Sequence, residues 1–288
     1  MKYRHAMIVL SAALPVCVVL RALQLIFTID SSTGFIKQSY NTVAIAITVI
    51  VCVAVGVVSA LAIAVDKVKS KPYAPKPILA IACLLVSGMF VFNTVTDVYK
   101  IIEMTFWQES LTQNIINALN TINWYDSVLL ILSVLSALCF AAYGLKNIYD
   151  YNMSIALVVP VLYYIVKLIS IFVSTSSLAL VTENIFLIFT NCVLLWFIFE
   201  FASFENKIGD TNKKPKKLFA SGLAAIMLCA MTSLPEFIRM ICDKTLVSGD
   251  AVSEATLNLA VGIFVLIYIM SSFSGSQDAH RPVSKHSA

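Results

Sequence analysis

"TVAIAITVIVCVAVGVVSALAIAV", residues 42–65, runs for 24 residues without one charge. At 1.5 Å per residue a helix of that length reaches about 36 Å, enough to cross the roughly 30 Å hydrocarbon core of a bilayer. A membrane β-barrel strand would alternate apolar and polar positions over roughly ten residues. This run is apolar on every side, so it reads as a spanning helix.

The rest of the chain repeats the pattern. Of its 288 residues 59% are hydrophobic and 12% charged, against about 25% charged in an average soluble domain. Runs of spanning length lie at 6–29, 42–65, 77–98, 127–148, 154–174, 179–203, 217–238 and 255–273. The sequence therefore predicts an all-α, polytopic bundle of eight transmembrane helices forming one domain over 1–273, with a disordered tail at 274–288. The least marked boundary is between the fifth and sixth runs, where "VSTSSLALVTENIF" (173–186) carries no charge before Glu183. The first run could open a secretory signal, but apolar sequence continues past Cys17, so it reads as a retained span.

Basic residues concentrate in loops that face the cytoplasm. With the N-terminus inside, 14 of the 20 Lys and Arg fall in inner segments, four fall in outer loops (Lys37, Lys100, Arg239 and Lys244), and Arg21 and Lys167 lie within spans. That bias predicts both termini in the cytoplasm and accounts for the net charge of +4 without a nucleic-acid partner. Membrane lipids are the implied surroundings, and the absence of loop domains suits a bacterial inner membrane.

The two halves show a parallel correspondence. Arg21 matches Lys167, the Lys71-Pro72 pair matches Lys214-Pro215, and Asp97 and Lys100 match Glu236 and Arg239. This predicts a duplication of 1–148 onto 154–273, related by an axis along the membrane normal. In the outer connection of the first half, Trp107, Leu111, Ile115, Leu119 and Ile122 form one helical stripe, predicting an interfacial amphipathic helix near 105–123.

Arg21 and Lys167 carry the functional question. A basic residue near mid-span costs about 2.5–3.5 kcal/mol on insertion scales and calls for a partner. Cα–Cβ bonds tilt toward a helix's N-terminus, here the cytoplasmic side, so neither side chain starts toward the nearer surface. The expected pairings are Arg21 with Asp97 or Asp30, and Lys167 with Glu236 or Glu183. The candidate ligand-binding set is Arg21, Gln24, Asp97, Lys167, Ser170, Glu183 and Glu236, suited to a small anionic or zwitterionic solute.

Catalytic signatures such as H-E-x-x-H, G-x-S-x-G and the P-loop are missing from the sequence. The three histidines sit in the tails and the seven cysteines contain no C-x-x-C pair. No catalytic residue, metal or cofactor is expected. Two classes stand open: a small-solute transporter, permease or membrane subunit of a transport complex with an outward-facing polar site, and an accessory, sensor or assembly protein whose intramembrane charges are structural. Partner membrane proteins, if any, are not legible.

Overall fold

The computed structural model describes residues 3–28, 37–65, 68–70, 76–106, 124–149, 157–175, 182–208, 214–242 and 249–275. Among them are eight α-helices: α1 (Tyr3–Thr28), α2 (Asn41–Ile63), α3 (Pro77–Phe106), α4 (Trp124–Tyr149), α5 (Val158–Thr175), α6 (Thr182–Glu205), α7 (Lys214–Cys242) and α8 (Gly249–Ser272). Seven are long and apolar enough to cross a membrane, and α5 is a shorter apolar helix. The protein is a multi-pass helical membrane bundle. The fifth and sixth apolar runs are separate helices, because α5 ends at Thr175 and α6 starts at Thr182.

Two three-residue strands supplement the helices. Strand β1 (Val68–Ser70) pairs antiparallel with β2 (Phe273–Gly275), Lys69 facing Ser274. α8 thus runs directly into a strand that ties the α2–α3 connection to one end of the bundle, here termed the ribbon end. The stretch read as an interfacial helix near 105–123 lies outside the described residues after Phe106, where α3 stops. The tail beyond Gly275 lies outside them too.

Helix packing closes a ring. α3 packs on α4, α4 on α5, α5 on α6, α6 on α7, α7 on α8 and α8 back on α3. α1 and α2 pack on each other and both lie against α7 from outside that ring. α7 is accordingly the most enclosed span, 89% buried, whereas α2 is 17% buried and presents Val49, Ile50, Val53 and Val57 outward. The sequence of α7 explains its place. Ala220, Ser221, Gly222, Ala224, Ala225, Cys229 and Ala230 are small, and small residues let helix backbones approach closely where lipid offers no hydrophobic drive for association.

Local pairing recurs in the two halves: α1 packs on α2 as α5 does on α6, and α3 on α4 as α7 does on α8. The surroundings of matched helices differ, however. α3, the counterpart of α7 in a duplication, is 39% buried against 89%.

Aromatic side chains fill the middle of the ring. Phe90 of α3 meets Tyr163 of α5 at 5.1 Å, Phe140 of α4 meets Phe264 of α8 at 5.4 Å, and Tyr143 of α4 meets Phe201 of α6 at 5.2 Å. Each pair joins helices that are not neighbours around the ring, so the rings must lie in its interior. Phe201 continues the stack to Tyr268 at 4.9 Å, and Phe273 of β2 joins Tyr268, Phe219 and Phe204. Edge-to-face pairs of this kind contribute about 0.5–1.5 kcal/mol each beyond their burial.

The tightest described approach involving a glycine away from a flexible side-chain tip is between α8 and α7, where a Cβ on Gly262 would lie 2.8 Å from Cys229 Cβ. Gly262→Ala should lower thermal stability in detergent by about 1–3 kcal/mol by forcing these helices apart. Gly88→Ala, where nothing lies within 4 Å of the added carbon, should be neutral or stabilising by about 0.5–1 kcal/mol through helix propensity. Equal effects at both positions would contradict this packing.

Candidate functional site

Lys167 lies one helical turn past Tyr163 on α5 and so on the same face, the face that meets Phe90 inside the ring. Its Nζ pairs with Glu254 Oε1 of α8 at 3.2 Å, and the two side chains remain 17% and 23% exposed. α5 and α8 are not neighbours in the ring, so the ion pair crosses its interior. α3 and α5 run away from the ribbon end, which places Lys167 beyond the aromatic stack, toward the far end.

Other polar groups gather at the same level. Asp97 of α3 is tied to α8, beside Glu254, through Asn93 and Ser253. The Asn93 amide donates to Asp97 Oδ2 at 3.1 Å, while Ser253 Oγ donates to Asn93 Oδ1 at 2.8 Å and shares a 3.0 Å bond with Thr96. Thr94 donates to Ser133 at 2.8 Å, linking α3 to α4. Ser170, a further turn along α5, is half-buried. Three buried hydroxyls, of Ser136, Tyr164 and Ser233, have no hydrogen-bond partner among the described residues.

These partners differ from the sequence expectation, which assigned Lys167 to Glu236 or Glu183. Glu236 pairs with Arg239 on its own helix at 3.2 Å. Glu183 lies in the first turn of α6, and its side chain is outside the described residues. Glu254 was not offered as a partner of Lys167 because the last apolar run was begun at 255, whereas α8 starts at Gly249. The signal was present: Ser253, Leu257, Ala260, Val261 and Phe264 recur at helical spacing, and all are buried.

Arg21 occupies a different place. It is 3% exposed, on the outer flank of the ring where α1 meets α2, and Nη1 donates to Gln24 Oε1 at 2.7 Å. Gln24, three residues on, reaches back toward Arg21 as helix geometry favours. The Gln24 amide then donates to the Ala44 carbonyl at 2.8 Å and the Thr48 hydroxyl at 2.9 Å, both on α2. The guanidinium also stacks over the Phe186 ring of α6, 4.1 Å from its centroid, a cation–π contact. Asp30, one of the partners expected for Arg21, lies outside the described residues, while Asp97, the other, accepts from the Asn93 amide on α3. Of the candidate set, Arg21 and Gln24 are in direct contact, whereas Lys167 and Asp97 each bond to other partners. The two basic residues do not share one site.

A second polar cluster lies at the ribbon end, below the aromatic stack. Glu205 of α6 accepts from the Tyr268 hydroxyl at 3.1 Å and from Lys146 Nζ of α4 at 3.5 Å, and Lys146 lies over the Tyr143 ring at 5.6 Å. Here too the contacts join α4, α6 and α8 across the ring. Lys76 donates to Ser272 at 3.1 Å nearby.

Comparisons with family models, with curated proteins and with solved structures found no match to this chain.

Arg21→Ala should destabilise the protein by about 2–3 kcal/mol, because it removes a charged donor and leaves Gln24 Oε1 buried without it. Thermal unfolding in detergent measures this. A change within about 0.5 kcal/mol would mean that the guanidinium does not hold α1 to its neighbours.

Proposed function

We propose that the protein is a small-solute transporter or permease whose polar site lies inside the six-helix ring and faces the outside. The observation that carries this reading is the Lys167–Glu254 ion pair, which crosses the ring interior above an aromatic floor. A charge pair whose only task was to join two adjacent helices would have no reason to span the interior. Its partial exposure and the clustered Asn93, Thr96, Asp97 and Ser253 suit a site that exchanges a charged solute with water.

In this reading all eight helices cross a bacterial inner membrane with both termini in the cytoplasm. The 18 residues of α5 span about 27 Å, close to the hydrocarbon thickness. The basic-residue bias then puts the ribbon end inside and the Lys167 level toward the outside. The stack from Phe90 to Tyr268 and the Lys146–Glu205–Tyr268 cluster form the closed inner side. Alternating access requires that cluster to break when the inner side opens.

The scaffold reading is favoured by one observation, the burial of Arg21 at 3% against Gln24 and Phe186, which is a structural arrangement. It applies to α1 and α2, outside the ring, and leaves the interior pair unexplained.

Proteoliposomes given a soluble cell extract and analysed by mass spectrometry test transport across many solutes at once. The native protein should accumulate at least one extract component, and Lys167→Ala should abolish that accumulation while Arg21→Ala, per folded molecule, retains it. Accumulation no different from empty liposomes would overturn the reading.

The inner closure has its own readout. Cys83 is fully buried on α3, where a Cβ on Gly144 of α4, two residues before Lys146, would lie 3.1 Å from its own Cβ. With Cys83 as the single thiol, Glu205→Gln should raise its alkylation by N-ethylmaleimide several-fold, and unchanged labelling would contradict a closure made by this cluster.

A further inference from the structure

We infer that Glu200 of α6 and Lys217 of α7 form a headgroup site for a phospholipid with a primary ammonium, of the phosphatidylethanolamine class, in the leaflet at the ribbon end. The site lies outside the ring and stands independently of transport. Glu200 belongs to the apolar span Ile185–Glu205, five residues before its end, or about 7.5 Å along the helix axis. α6 runs toward the ribbon end, so the Cα–Cβ bond of Glu200 tilts away from the nearer headgroups. The side chain is half-buried and has no hydrogen bond or ion pair among the described residues. An ionisable group within a span calls for a partner.

Two contacts place Lys217 at the same level. The Ser203 carbonyl of α6 accepts from Lys214 Nζ at 3.0 Å, and a Cβ on Gly222 of α7 would lie 3.3 Å from Phe197 Cε2. Glu200 stands midway between Phe197 and Ser203, so it is on the flank of α6 that faces α7. Lys217 stands between Lys214 and Gly222 on the opposing, antiparallel helix. From Lys214 to Arg239, Lys217 is the one exposed residue of α7. It too has no partner among the described residues and is not paired with Glu200. Trp196 and Phe199, 39% and 54% exposed, turn this stretch of α6 to lipid.

The other charges described at this end do not meet the need of Glu200. Lys146 and Glu205 pair with each other, Lys214 is held by Ser203, Lys76 bonds Ser272, and Arg4 of α1 is engaged. Lys216 is half-buried, His5 is exposed, and Lys207, exposed just past the end of α6, adds a cation at headgroup height.

A carboxylate and an ammonium that line one lipid-exposed seam without pairing match a ligand that carries both charges. Cα–Cβ bonds of α7 tilt toward the ribbon end, so Lys217 reaches the level of lipid phosphates. The ethanolamine ammonium folds down from that phosphate to Glu200 and donates charge-assisted hydrogen bonds to it. A choline headgroup has no N–H to donate. An anionic lipid would satisfy the lysines and leave Glu200 as it was, and a basic helix of another protein would satisfy Glu200 but set a further cation against Lys217.

The test uses full-length protein in nanodiscs of phosphatidylcholine, alone or mixed with phosphatidylethanolamine or phosphatidylglycerol. Dicyclohexylcarbodiimide labels carboxyl groups reached from hydrocarbon, and peptide mass spectrometry reads Glu200. Labelling should fall several-fold with phosphatidylethanolamine and hold with phosphatidylglycerol or with soluble phosphoethanolamine. Lys217→Met, at an exposed position with no described bond to lose, should keep the melting temperature and weaken the protection. Glu200→Gln should melt no lower than the native protein in phosphatidylcholine, because it removes an unpaired charge. It should also lose the rise in melting temperature that phosphatidylethanolamine gives the native protein. Equal labelling in all three lipids, or protection by phosphatidylglycerol or soluble phosphoethanolamine as strong as by phosphatidylethanolamine, would overturn the inference. So would a Glu200 that resists the label in phosphatidylcholine alone, since protein would then already cover it.

Discussion

A charge inside a membrane bundle must be paired, and the way Lys167 meets that requirement organises the middle of this protein. Its partner is on α8, across a ring that also includes α3, α4, α6 and α7. The two side chains keep some exposure, so removing either member should cost less than the roughly 3–5 kcal/mol typical of a fully buried pair. The pair is thus a brace between opposite walls of the ring.

The ring can hold a polar site because the rest of it is packed so differently. On the ribbon side of Lys167 the interior is aromatic from Phe90 to Tyr268, and the stack ends on Glu205 and Lys146. On the outside of α7, α1 and α2 add a second layer, fastened by Arg21, Gln24 and Thr48. That layer shields α7 from lipid and lets its small residues pack on both sides. The two basic residues therefore solve one electrostatic problem in two ways: Arg21 with an amide and an aromatic face, Lys167 with a carboxylate across the interior.

Much of the fold was legible, for definite reasons. Long apolar runs have few alternatives in a chain this poor in charge, and each of the eight corresponds to a helix. That Arg21 and Lys167 need partners inside the bundle also follows from their depth alone. Which partners they take does not, because that depends on the neighbours of each helix, and the apolar faces of α2, α3 and α8 look much alike in sequence. Gln24 was visible at the right spacing for Arg21, but only the approach of α2 gives its amide the Ala44 carbonyl. Glu254 was lost as a partner of Lys167 to a boundary error of six residues, since hydropathy ends a span at the first polar run while a helix continues through Ser253 and Glu254. The aromatic stack was hidden for another reason: its members come from separate helices at no fixed spacing, and only closure of the ring brings them together.

The central claim, that Lys167 and Glu254 interact directly across the ring, is tested most directly by a double-mutant cycle on thermal stability in detergent with Lys167→Met, Glu254→Gln and the double variant. A direct pair predicts a coupling energy of about 1–3 kcal/mol, the double variant being less destabilised than the sum of the singles. Additivity within about 0.3 kcal/mol would show that the two side chains do not meet, and with it the interior site would lose its foundation.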